Sequence, residues 1–281
     1  MTDPMITTDA LAALIGTPDL KIVDASWHMD GRDGRALYEA AHIPGAVFFD
    51  IDGISDKSSP LPHMLATPET FAEAMGALGL SEGDDIVVYD QAGLFSAARA
   101  WWNLRLMGAE RVRVLDGGLP KWTAEGRPVE AGATTPEPAA FSTSMRPELL
   151  KDFDAVKRNI EAPAFQLLDA RSAARFRAEA PEPRAGLKGG HVPSSLSLPF
   201  GSVLNPDGTM KDTKALAEVF DAAGVDRSAP LAASCGSGVT APIVALALAR
   251  LGREDVAIYD GSWTEWGGRE DAPVATGDPS P

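Results

Sequence analysis

VRVLDGGLPKW (residues 112–122) is written again as VAIYDGSWTEW (residues 256–266), with the Asp-Gly pair and the final tryptophan in register at an offset of 144 positions, from 112 to 256. The same offset, without a gap, pairs VVYDQAGLFSA (87–97) with LAASCGSGVTA (231–241). Upstream, IVDAS (22–26) is similar to LLDARS (167–172), and HIPGAVFFD (42–50) to HVPSSLSLPF (191–200), at slightly larger offsets that loop insertions explain. Self-similarity on this scale decides the architecture before any single element is read. It predicts two copies of one domain, residues 1–132 and 148–281. Residues 133–147 between them, rich in Pro, Ala, Ser and Thr, read as a linker.

Within each copy, short apolar runs alternate with helical patterns. In the second, strands are expected at 165–169, 196–198, 231–234 and 256–260, and helices at 149–159, 214–223 and 239–251. Runs of four or five apolar residues between helices read as parallel strands buried on both faces. The fold class is therefore α/β: two tandem domains, each a mostly parallel sheet flanked by helices. Such sheets bind ligands at the carboxyl ends of their strands. Cys235 lies there, one residue past a strand.

The 281-residue chain carries 25 Lys and Arg against 40 Asp and Glu, a formal net charge of −15. A field of that sign repels nucleic acid and anionic membranes, so neither is an expected partner. An anionic substrate must instead be met locally, by a few placed Arg or Lys and by backbone N–H groups. The lone cysteine allows no intrachain disulfide, and with the four histidines (His28, His42, His63, His191) it builds no metal cluster. No metal and no organic cofactor is expected. The N-terminal residues lack a basic stretch followed by a long apolar one, and the longest apolar run, around 241–249, is too short to span a bilayer. A reducing compartment fits, and the cytoplasm is the default.

The loop SCGSGVTA (234–241) places a thiol between a strand and a helix that starts near Val239. Gly236 and Gly238 allow unusual backbone angles, so that several N–H groups converge on one spot. Such a nest at a helix N-terminus favours a thiolate over a thiol and stabilises an anion beside it. A free cysteine after an apolar strand is commonly an inert core residue; the flanking glycines and the strand–loop–helix position favour a nucleophile. At the constant offset the first copy has Gln91 in this place, which can do no thiol chemistry. A cysteine phosphatase would need an arginine six residues on, where Ala241 stands, and Gly236–Ser237–Gly238 does not fit the spacing of a hydrolase nucleophile elbow.

The tandem halves, the DGG and DGS motifs and the loop CGSGVTA resemble the two-domain rhodanese family, and within it the 3-mercaptopyruvate sulfurtransferases. The similarity runs from DASW (24–27) to DGSWTEW (260–266). It implies a Cys235 persulfide formed from 3-mercaptopyruvate with release of pyruvate. The sulfur then passes to a thiol such as thioredoxin or a low-molecular-weight thiol, or to cyanide. The loop residues Gly236, Gly238, Val239 and Thr240 would surround the substrate. In the family two arginines bind the substrate's carboxylate and carbonyl oxygens, and they match Arg175 and Arg184; Arg177 is a third candidate by its place in the sequence. A relay through Ser237, His63 and Asp52 is implied for proton movement. Thiosulfate-preferring relatives carry basic residues after the cysteine; Gly236 and Ser237 point to mercaptopyruvate instead. Thiosulfate as donor, and a binding module that keeps the fold without turnover, are the alternatives. Pro242 departs from the pattern, but proline is tolerated in a first helical turn. The Pro-rich tail after Gly267 is expected to be frayed.

Overall fold

The computed structural model describes residues 3–278. Its contacts form two compact units: residues 1–58, 65–147 and 205–210, and residues 59–64, 148–204 and 211–281. Each copy thus lends a short segment to the other unit.

The first unit runs β1 (Met5–Ile6), α1 (Thr8–Leu14), β2 (Leu20–Asp24), α2 (Gly34–Ala40), β3 (Val47–Phe48), α3 (Pro68–Ala77), β4 (Asp85–Tyr89), α4 (Ala97–Leu106), β5 (Val112–Leu115) and α5 (Gly118–Ala124). The second runs β6 (Leu150–Lys151), α6 (Phe153–Glu161), β7 (Gln166–Asp169), α7 (Ala173–Phe176), β8 (Leu196–Ser197), α8 (Thr213–Ala222), β9 (Leu231–Ser234), α9 (Ala241–Arg250), β10 (Ala257–Tyr259) and α10 (Ser262–Trp266). Both sheets have five parallel strands, in the order β1-β5-β4-β2-β3 and β6-β10-β9-β7-β8. The repeat read in the sequence is one topology built twice. No helix among the described residues is long and apolar enough to cross a membrane.

Packing details are duplicated as well. Trp122 and Trp266 lie in the two cores, each donating its indole N–H to a proline carbonyl, Pro128 at 2.7 Å and Pro273 at 2.8 Å. Tryptophans are large enough to anchor a core yet need this partner when buried. His42 and His191 bond through Nδ1 to the carbonyls of Tyr38 and Phe176 and stack on the rings of the same residues. Both histidines are core residues of a repeated turn.

Three expectations shift. Residues 150–151 form β6 beside β10 instead of a helix, because Asp152 caps α6 by accepting from Ala155 N–H at 2.7 Å and so starts the helix at Phe153. Helix α9 begins at Ala241, two residues later than expected, since Gly238 takes φ +78°, outside the helical region. The tail is held as far as Gly277: His191 and Ala275 exchange two backbone bonds, Pro273 receives the Trp266 indole, and Gly277 N–H donates to Arg177 O at 3.2 Å. Residues 279–281 of that tail lie outside the described residues. The stretch read as a linker lies against the first unit, with Ala139, Ser144 and Arg146 N–H groups donating to Gly76, Met107 and Leu106 carbonyls.

The two copies also differ in charge at one core position. Asp169 is paired with the buried Arg171 guanidinium. Its counterpart Asp24 has only neutral donors, Ser26 N–H at 2.9 Å and Gln91 Nε2 at 3.2 Å. Burial holds the Asp24 carboxyl above the usual carboxylate range. A raised folded-state value means the native state binds the proton more tightly. The resulting stability is full below the unfolded value and is lost as pH rises through the folded one. Asp24→Asn is expected to remove that loss, so the urea midpoint of the variant relative to that of the parent protein should rise between pH 4 and 8.

Candidate active site

Strand pairing fixes which first-unit residue corresponds to Cys235. Asp24 pairs with Tyr89, and Asp169 with Ser234. Ala25 N–H donates to Tyr89 O at 2.9 Å, and Ala170 N–H to Ser234 O at 2.8 Å. One residue on, Leu119 N–H donates to Asp90 O and Trp263 N–H to Cys235 O, both at 3.0 Å. The counterpart of Cys235 is therefore Asp90, not Gln91. The first-unit loop is one residue longer, and its extra residue lies between the strand and α4.

That correction exposes what the loop is built to do. The Asp90 carboxylate, 1% exposed, accepts from four N–H groups: Ala92 at 2.8 Å, Phe95 at 2.7 Å, Ser96 at 2.8 Å and Ala97 at 2.8 Å. A carboxylate with this many donors at a helix start is a satisfied buried anion. Counting back from the first residues of α4 and α9, the counterparts of Phe95, Ser96 and Ala97 are Val239, Thr240 and Ala241. The residue at the Asp90 position in the second unit is Cys235, also 1% exposed, which carries negative charge only as a thiolate or persulfide.

The loop is fastened from beneath by the start of α10. Cys235 N–H donates to Ser262 Oγ at 3.1 Å, and the Gly236 carbonyl accepts from Thr264 N–H at 2.8 Å and Thr264 Oγ1 at 2.7 Å. Ser237, Gly238 and Val239 are buried, while Gly236 and Thr240 are partly exposed.

Arg175 reaches the loop from α7. A side-chain carbon placed on Gly236 would lie 3.2 Å from Arg175 Nη2, a tight contact that the guanidinium would relieve by shifting a few tenths of an ångström. Arg175 is aimed by Glu182, whose Oε2 takes Nη2 at 2.5 Å and whose Oε1 takes Nε at 3.2 Å. The same Glu182 oxygen Oε1 accepts from Arg171 Nη1 at 2.8 Å, and the Arg171 guanidinium lies 4.1 Å over the Trp263 ring. Two acids and two arginines thus form a balanced chain, Asp169–Arg171–Glu182–Arg175, ending beside Gly236. Arg184 Nη2 points at His63 Nε2 at 3.5 Å, both within the second unit; the imidazole nitrogen is the acceptor, since a guanidinium only donates. Arg177 is engaged by Glu179 at 2.8 Å. Asp52 belongs to the first unit, where its carboxylate accepts from Trp27 Nε1 at 2.9 Å.

Four contributors escaped the sequence reading. Ser262 and Thr264 stand in the sequence only within the repeated DGS segment, Arg171 within LLDARS, and Glu182 between two prolines with nothing to single it out. The signal for the first two was present: the DGS copy has hydroxyls where the DGG copy has Gly118 and Pro120.

Comparison with known proteins agrees with this architecture. A family model, the rhodanese-like domain, matches residues 7–125 and again 152–269. The chain belongs to the rhodanese-like family. Among rhodanese-like relatives, the thiosulfate/3-mercaptopyruvate sulfurtransferase 1 of Arabidopsis thaliana, named as mitochondrial, is 45% identical over 97% of this chain and 78% of its own. The 3-mercaptopyruvate sulfurtransferase of Escherichia coli K12 is 45% identical over 96% of both chains. The crystal structure of SseA from Escherichia coli, described with the rhodanese fold and catalytic mechanism of 3-mercaptopyruvate sulfotransferases, superposes with a TM-score of 0.86 at 42% identity, covering 93% of this chain and 99% of that one.

Proposed function

We propose that this rhodanese-like protein is a 3-mercaptopyruvate sulfurtransferase that carries sulfur on Cys235. The observation that carries the reading is the place of Cys235: it takes, at the end of its strand, the position at which the first unit holds the amide-bound Asp90 carboxylate. In the first half-reaction the Cys235 thiolate forms an S–S bond with the donor sulfur as the donor's C–S bond breaks. The bonding pair passes to carbon, giving pyruvate enolate, which takes a proton and leaves as pyruvate. In the second, a thiol such as thioredoxin, a low-molecular-weight thiol or cyanide attacks the outer sulfur and restores the thiolate. A covalent intermediate between two half-reactions predicts ping-pong kinetics.

Arg175 and Arg184 hold the organic acid, since a planar guanidinium matches a carboxylate. Gly236, Gly238, Val239 and Thr240 shape the anion site. Ser237, His63 and Asp52 are the residues we assign to proton transfer. The first half, residues 1–132, keeps the fold without the nucleophile, and residues 148–281 carry Cys235 and the two arginines. A reducing compartment, the cytoplasm, suits a lone unpaired cysteine. The loss of a charged hydrogen bond costs about 1.5–3 kcal/mol. Arg184→Ala should therefore raise KM for mercaptopyruvate by about 10- to 100-fold and leave KM for cyanide in place, as steady-state kinetics with each substrate varied will report.

Thiosulfate is the second reading, favoured by the double name of the Arabidopsis relative. Against it, Gly236 gives its space to Arg175, which suits a carboxylate-bearing donor. Comparing kcat/KM for the two donors, with pyruvate and enzyme persulfide both followed, tests the proposal; a clear preference for thiosulfate overturns it.

A further inference from the structure

The two units share sheet order and pairing register, yet they fasten their loops differently. The bond from α5 or α10 to residue 90 or 235 is common to both, Leu119 N–H to Asp90 O and Trp263 N–H to Cys235 O. Around it the second unit adds three bonds: Cys235 N–H to Ser262 Oγ, and Thr264 N–H and Oγ1 to Gly236 O. At these places the first unit has Gly118, which lacks a hydroxyl, and Pro120, which lacks both hydroxyl and N–H. Ser262 also sits at φ +50°, in the left-handed region that a residue with a Cβ enters only at a cost, whereas Gly118 takes φ +53° freely. Fully buried, Ser262 donates onward to Tyr259 O at 2.8 Å. A unit that had only to fold manages with Gly and Pro; the unit with the thiol accepts a strained serine.

We propose that Ser262 and Thr264 are positioning residues for the Cys235 nucleophile, an assignment that rests on the sulfurtransferase reading above. They act through the backbone of 235–236. In a trans peptide the carbonyl and the following N–H point in opposite directions. Holding the carbonyls of Cys235 and Gly236 against α10 therefore turns the N–H groups of Gly236 and Ser237 away from α10. The Ser262 hydroxyl in turn takes up the Cys235 N–H and fixes the base from which Sγ projects.

The test uses Ser262→Gly, Thr264→Val, their combination, and Thr264→Ser as the conservative control. Circular dichroism and urea midpoints are expected to stay near those of the parent, because Gly relieves the left-handed backbone and Val is nearly isosteric with Thr. Single-turnover persulfide formation at saturating mercaptopyruvate should fall about 10-fold for each single variant and about 100-fold for the pair, the scale of a 1 Å misplacement. KM should move less than about twofold, and Thr264→Ser should match the parent. Alkylation of Cys235 by iodoacetamide should slow in parallel. Rates of the folded Ser262→Gly and Thr264→Val variants within twofold of the parent, or a loss confined to KM, overturn the assignment. Alkylation needs no sulfur donor, so it decides the positioning role even if the parent forms no persulfide from mercaptopyruvate, an outcome that would instead remove the functional reading.

Discussion

Cys235→Ser is expected to lower turnover with 3-mercaptopyruvate by about 10⁴-fold or more, the scale on which removing a covalent nucleophile acts. A serine hydroxyl stays protonated at neutral pH and cannot carry sulfur as a persulfide, so the reaction loses its intermediate along with its nucleophile. The chain has one cysteine, so a sulfur adduct on the parent reports on that position alone. Intact mass should rise by one sulfur atom when the parent meets the donor without an acceptor, and should return on adding cyanide. The serine variant should show no rise at all. An adduct on the variant, or unchanged turnover, would mean that sulfur is carried elsewhere.

Asp90→Ala should have the largest effect on stability. The substitution removes the acceptor of four N–H groups in a site that water does not reach. Leaving the partners of a buried charge uncompensated costs about 3–5 kcal/mol, and the start of α4 should loosen with the loop. A lower urea midpoint is expected. Sulfate should recover part of the loss, because the vacated amides and helix start form an anion site and ligand binding to the native state stabilises it. Asp90→Asn should fall between, since its amide keeps one acceptor oxygen but turns an NH₂ toward donors. A midpoint unchanged in Asp90→Ala would show that the carboxylate does not anchor the loop. That outcome would also weaken the inference drawn for Cys235, as both rest on the same amide pattern.

Much of this was legible in the chain because duplication makes its own alignment. The gapless match of 112–122 to 256–266 predicted two like domains, and the short apolar runs predicted parallel sheets. The place of Cys235 at the end of a central strand followed from both. What misled the reading was also local. A one-residue difference between the two loops is invisible when the flanking segments align at constant offset, and it set Cys235 against Gln91. Pairing of β4 with β2 and of β9 with β7 restores the correspondence, since a strand's register is set by its neighbours and not by its own residues.

The sequence by itself determined that the fold is doubled, that the only thiol sits in the second copy, and that glycines flank it. Tertiary structure decided which groups surround that thiol. Ser262 and Thr264 lie 27 and 28 positions from the residues they bond, and Glu182 aims Arg175 from the far end of a Pro-rich loop. Hydrogen bonds between such segments have no spacing rule, because they depend on where the sheet brings chain ends together. Asp90 and Cys235 show both sides of this. Their identities are written in the chain, while their equivalence, and with it the meaning of the loop as an anion site, exists only once the strands have paired.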